Sequence, residues 1–79
     1  MTSTEDDRDM REFIVFNAEL HGKRLMDLKL PEDVLVLAVR RNDELMIPHG
    51  TTKLETGDHL TILGNLDSLP ELEELLEKW

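Results

Sequence analysis

Six consecutive apolar residues, Val34-Leu35-Val36-Leu37-Ala38-Val39, constrain this chain more than any other feature. Pro31-Glu32-Asp33 precedes the run and Arg40-Arg41-Asn42-Asp43 follows it. Its short length, turn signals at both ends and β-branched content predict a strand rather than a buried helix. A strand with no polar side is expected to be buried on both faces. A chain of 79 residues has little material for two covers. A domain of this size buries only ~60% of its unfolded surface and is marginal alone. There is no cysteine, so neither a disulfide nor a Cys-based zinc site makes up the deficit. Pairing with a second copy is the remaining common route. A homodimer is therefore expected, with Val34, Val36 and Leu37 at its interface.

The rest of the chain reads outward from that strand. Residues 1–11 carry no periodic apolar pattern and read as a linker or disordered tail, leaving 12–79 as one domain. Phe13-Ile14-Val15-Phe16, extended through Asn17-Ala18-Glu19-Leu20, predicts a first strand with Phe13 and Val15 on one face. Gly22 turns the chain, and Leu25 and Leu28 share one face of a short helix near 23–29 that Pro31 ends. Asn42-Asp43 is a two-residue hairpin tip leading to a strand at Leu45-Met46-Ile47, which Pro48 stops. Glu55-Thr56-Gly57-Asp58 has glycine where a type II turn needs positive φ. His59 to Gly64 alternates as a strand, with Leu60 and Ile62 on one face and His59, Thr61 and Leu63 on the other. Ser68 with Glu71 three residues later has capping-box spacing, and Leu69, Leu72, Leu75, Leu76 and Trp79 form the core stripe of a final helix. The fold class is thus α+β: a small, mostly antiparallel sheet in β-α-β-β-β-α order, helices on one face, dimeric.

Composition excludes several functions. With 18 acidic and 9 basic residues, the net charge is −9. Such a field repels phosphate backbones, so direct nucleic-acid binding is not expected. No apolar run approaches the ~20 residues needed to span a bilayer. The chain has no Gly-rich phosphate loop, no HExxH and no GxSxG. His21, His49 and His59 lack metal-ligand spacing, so no metal site and no enzyme activity are expected. The notable polar group is Arg40-Arg41-Asn42, at the end of the apolar strand, with Pro48-His49-Gly50 on its hairpin partner's exit. Arginine forks onto a phosphate or carboxylate. The plainer alternative is pairing with nearby Glu32, Asp33, Asp43 or Glu44. Strand alternation points one arginine to each face.

In combination these residues resemble a known family. The features are Gly22-Lys23, Leu25, Leu28, Leu30-Pro31, the apolar strand ending in Arg40, then Ile47-Pro48, Gly50, Thr52, Leu54 and Gly57-Asp58 with Leu60. From Phe13 to Leu76 the chain resembles the TrkA-C domain, the C-lobe of the RCK module (regulator of potassium conductance). The resemblance implies a cytoplasmic, twofold-dimeric regulatory domain of an ion transport protein, for potassium or cation/proton antiport. It also implies a membrane-embedded transporter portion as partner. In some members a cyclic dinucleotide or other small anionic ligand binds in the dimer cleft, which here maps near Val39, Arg40, Arg41 and Pro48. No cofactor is implied within these residues, which contain none of the nucleotide-binding lobe that opens a full RCK module. Alternative readings are the effector domain of a transcription regulator and a ligand-free dimerisation module, including one in a chloride-channel homologue.

Overall fold

The computed structural model describes residues 7–78. Four strands and one helix follow one another: β1 (Arg8–Ile14), β2 (Val34–Arg41), β3 (Glu44–Met46), β4 (His59–Asn65) and α1 (Leu69–Glu77). The strands form one antiparallel sheet in the spatial order β1-β4-β2-β3. β4 is central. Its alternation holds as expected, with Leu60 and Ile62 buried and the intervening residues partly exposed.

The first strand starts earlier than the sequence suggests. Residues 8–11, expected within the tail, form half of β1, because β4 supplies a partner for each of its seven residues. Of the rest of the expected tail, Asp7 is described and exposed, and residues 1–6 lie outside the described residues, as does Trp79. Phe13 and Val15 face the core as expected. Beyond Ile14 the chain does not continue as a strand, although Phe13 to Leu20 was expected to. Asn17 accepts the Glu19 N–H and starts a 3-10 turn, Ala18–Leu20.

The expected helix near 23–29 is also a single 3-10 turn, Leu25–Asp27. So short a segment fixes too many dihedrals for too few hydrogen bonds. Arg24 is instead extended and bridges to Lys53. The expected β-α-β-β-β-α order is therefore corrected to four strands and one C-terminal helix.

α1 lays Leu69, Leu72 and Leu76 on the core beside Phe13, Val39, Leu54, Leu60 and Ile62. Its C-terminal carbonyls are satisfied by the segment leaving β1. The Phe16 and Asn17 N–H groups both donate to the Leu76 carbonyl (2.9 and 3.1 Å), and Asn17 Nδ2 donates to that of Leu75. The N-terminal capping box does not form. Ser68 has helical φ/ψ, and its hydroxyl donates to the Asp33 carboxylate at 2.8 Å rather than serving α1. Asn65 Nδ2 donates to the same carboxylate, tying the entrance of β2 to the end of β4. The Asn65 and Ser68 hydrogen bonds hold Asp33 below the usual carboxylate range.

β2 departs most from expectation: among the described residues, only one of its faces is covered. A bulge at Leu37 shifts the register, so that Val36 opposes Ile62 while Ala38 opposes the next residue, Thr61. The bulge puts Val34, Val36 and Val39 toward the core. Leu35 and Leu37 are left 59% and 40% exposed.

Candidate ligand hollow and the arginine pair

β3 pairs with Val39, Arg40 and Arg41, so among the described residues the first half of β2 has a free edge. Among the described residues, Val34–Leu37 make no backbone hydrogen bond outside the sheet. Beside that edge lies an open hollow of about 280 Å³, lined by Leu25, Met26, Leu30, Val34, Leu35, Val36 and Pro48–Gly50.

Local sequence builds its far wall. β3 ends at Met46, one residue short of the expected Ile47, and after Pro48 the turn is closed by Thr52. Its Oγ1 accepts the His49 N–H at 2.9 Å, and its own N–H donates to the His49 carbonyl. The turn is then fixed to the segment after Gly22. The Leu25 N–H donates to the Thr52 carbonyl and the Met26 N–H to that of Gly50 (both 2.9 Å). The Gly22 N–H donates to Leu54, and the Leu54 N–H to Lys23. Gly22, at φ 85°, makes the reversal possible.

A larger hollow of about 610 Å³ lies against α1, but Glu73, Glu74 and Glu77 line it. Carboxylates there repel an anion, so the smaller, apolar hollow is the better candidate.

The expected site residues separate. Pro48 lines the hollow, joined there by Val34 and Val36, which were expected at a dimer interface. Val39 does not line it: the bulge turns it fully into the core. Arg41 is committed elsewhere. Its Nε and Nη2 fork onto the two Asp58 oxygens, both at 2.9 Å, and Nη2 also donates to the Lys53 carbonyl at 2.8 Å. Nη1 lies 3.3 Å from Glu55. Burial pushes the Asp58 carboxyl up, but the Arg41 fork and the Glu55 N–H outweigh it and hold the acid below its ordinary range. The pair is a clamp between β2 and the Glu55–Asp58 turn. Arg40 is exposed on the other face and makes no ion pair among the described residues.

The sequence does not single out Leu35 or Met26. Leu35 could not be singled out from a run with no polar marker. His49 is read with Pro48 and Gly50 at the hairpin exit, but not as a ligand contact.

The sequence model of the TrkA-C domain matches residues 10–77. The chain belongs to the TrkA-C family. Within it, the chain is 39% identical over 64 residues to a Trk system potassium uptake protein TrkA homolog of Archaeoglobus fulgidus, covering 81% of this chain and 15% of that protein. A TrkA homolog of Methanosarcina mazei is 37% identical over 67 residues, 84% of this chain and 16% of the relative. The K(+)/H(+) antiporter NhaP2 of Shewanella baltica is 42% identical over 57 residues, 72% of this chain and 10% of the antiporter. The chain thus spans about a sixth or less of these relatives. Among solved structures, an RCK domain with cda superposes with a TM-score of 0.80 at 28% identity, covering 85% of this chain and 96% of that one. The KtrA RCK C domain in complex with c-di-AMP shares the fold (TM-score 0.77, 24% identity, 90% and 86% coverage). In TrkA-C terms, the motif Pro48, Gly50 and Thr52 is the closed turn that walls the hollow.

Proposed function

We propose that this TrkA-C domain is a homodimeric regulatory module of a potassium or cation/proton transport protein, working on the cytoplasmic face. In this reading it senses a small anionic ligand, such as a cyclic dinucleotide, in the hollow beside β2. Family membership supports the transport role, and the related RCK domain with cda supports a ligand. The observation that carries the reading is the hollow itself: apolar walls, a free strand edge and one imidazole, His49, on a turn fixed by Thr52. Such walls suit a planar ring. Arg40 lies outside the hollow's lining but is the expected anion contact that makes no ion pair among the described residues.

Leu35 lines the hollow and is also exposed beyond it. A ligand there changes what a second copy packs against. It biases the paired arrangement only by its differential affinity for the alternatives.

Calorimetric titration of c-di-AMP into the 79-residue chain tests the reading. Saturable heat is expected, weakened in His49→Ala and Arg40→Ala, with dimer mass by light scattering. A dimer giving neither heat nor thermal shift with c-di-AMP and common nucleotides would favour the ligand-free dimerisation module instead.

A further inference from the structure

We infer that Met26 is an oxidation site, through which a peroxide-class oxidant weakens ligand binding in the hollow beside β2. The inference rests on the ligand reading above and adds a regulator to that same site.

The chain has no cysteine and four methionines. Thioether sulfur is therefore its available centre for reversible oxidation. The three methionines among the described residues differ in their surroundings. Met46 is half-buried and packs against the core. Met10 is 59% exposed on the outer face of the sheet, away from α1, and does not line the hollow. Met26 is both exposed, at 60%, and part of the hollow's wall.

The backbone of Met26 is fixed although its side chain is open to water. It sits in the 3-10 turn Leu25–Asp27, after the buried Leu25, and its N–H donates to the Gly50 carbonyl at 2.9 Å. A Cβ added to Gly50 would stand 3.5 Å from Met26 Cβ and 3.9 Å from its Sδ. The sulfur thus lies beside a residue with no side chain to shield it. A hydroperoxide that reaches it gives up one oxygen. The O–O bond breaks, an S–O bond forms, and sulfur loses two electrons to the peroxide. The departing hydroxide takes the proton of the transferred hydroxyl and leaves as water. The product is a polar sulfoxide, which sulfoxide reductases return to the thioether.

Without ligand the sulfoxide oxygen stands in water, and the fold is untouched. Under a ligand it is cut off from water among Leu25, Leu30, Val34 and Val36. A polar group buried without a partner is expensive. Of the lining side chains only that of His49 is polar, and the ligand reading already turns it to the ligand. The sulfoxide oxygen also carries partial negative charge, which an anion avoids. Oxidation therefore acts on the bound state.

Treating the 79-residue chain with dilute hydrogen peroxide tests this. Peptide mass spectrometry locates the added oxygen, calorimetry with c-di-AMP reads affinity, and circular dichroism reads melting. Trypsin isolates Met26 in the peptide Leu25–Lys29, apart from Met10 and Met46. Met26 should gain one oxygen well before Met46. The oxidised chain should melt as before yet bind c-di-AMP roughly tenfold more weakly. A methionine sulfoxide reductase with dithiothreitol should restore binding. Saturating c-di-AMP should slow oxidation of Met26 and leave that of Met10 unchanged. In Met26→Leu, whatever its own affinity, peroxide should change binding no further, while Met10→Leu should respond like wild type. Equal affinity before and after complete oxidation of Met26, or an equal loss in Met26→Leu, would overturn the inference alone. No saturable heat before oxidation would overturn the ligand reading and this inference with it.

Discussion

The Arg41–Asp58 clamp allows a quantitative test of what joins β2 to the Glu55–Asp58 turn. Asp58 keeps 1% of its side-chain surface exposed and accepts three hydrogen bonds: two from Arg41 and one from the Glu55 N–H. Arg41→Met keeps most of the stem and removes the fork. The carboxylate is then buried with one donor. Breaking a buried pair costs ~3–5 kcal/mol. Arg41 retains 24% exposure, so water screens part of the interaction and the low end, about 3 kcal/mol, applies. For a domain of this size that lowers the melting temperature by roughly 12–24 °C.

The pH dependence gives a second readout. Asp58 has a folded pKa below its ordinary value. Its stabilising contribution is therefore complete above about pH 4, the unfolded value, and is lost as pH falls through the lower folded pKa. In Arg41→Met only burial and one N–H remain, so the carboxyl protonates more readily. The gap between wild type and variant should be widest at neutral pH and narrow in acid. Adding Asp58→Asn, which can still accept the Glu55 N–H, should recover much of the loss. Urea denaturation at fixed protomer concentration, at pH 7 and pH 4, is the assay, because association would otherwise shift the midpoints. A loss under ~1 kcal/mol, or an equal loss at both pH values, would refute the clamp.

Two further substitutions probe the entrance to β2. At Gly64 an added Cβ would sit 2.7 Å from Val34 Cγ1, so Gly64→Ala should destabilise by ~1–3 kcal/mol through overpacking, and Val34→Ala in the same chain should relieve it in denaturation. Ser68→Ala should cost ~1 kcal/mol through its lost hydrogen bonds. A double-mutant cycle with Asp33→Asn should show strong non-additivity, whereas Glu71→Ala, lacking a capping partner, should be near neutral.

Much of this architecture was legible because it rests on local periodicity. β4 alternates, α1 has a leucine stripe, and the Asn42-Asp43 tip gives a hairpin in which Asn42 adopts φ 58°. What was illegible depends on distant partners. The sequence offers Arg41 acids close by, but its partner lies 17 residues away, placed by the β2–β4 register and by Gly57 at φ 97°. Ser68 fits the capping pattern, yet Asp33, 35 residues away, takes its hydroxyl. The site was half legible for the same reason. Pro48 was readable from its motif, while Met26 reaches the hollow only because its segment hydrogen-bonds to residues 50–54.

The bulge in β2 yields the least intuitive expectation. Deleting an apolar residue from a half-buried strand normally inverts every side chain beyond it. Leu37 is the exception. Val36 and Ala38 already oppose consecutive residues of β4, Ile62 and Thr61. Removing Leu37 leaves a regular ladder in which Val34, Val36 and Val39 still face inward and Leu35 and Ala38 still face outward. The core is unchanged, and what disappears is local twist and one partly exposed leucine. Deleting Leu35 instead moves Val34 opposite Leu63, on the outer face, and draws Asp33 toward Gly64, away from Ser68 and Asn65. The shorter chain lacking Leu37 should therefore stay folded, with a urea midpoint near wild type, while the chain lacking Leu35 should lose cooperative unfolding. If both deletions destabilise the chain equally, Leu37 is not the extra residue, and the assignment of Leu35 to the outer face falls with it.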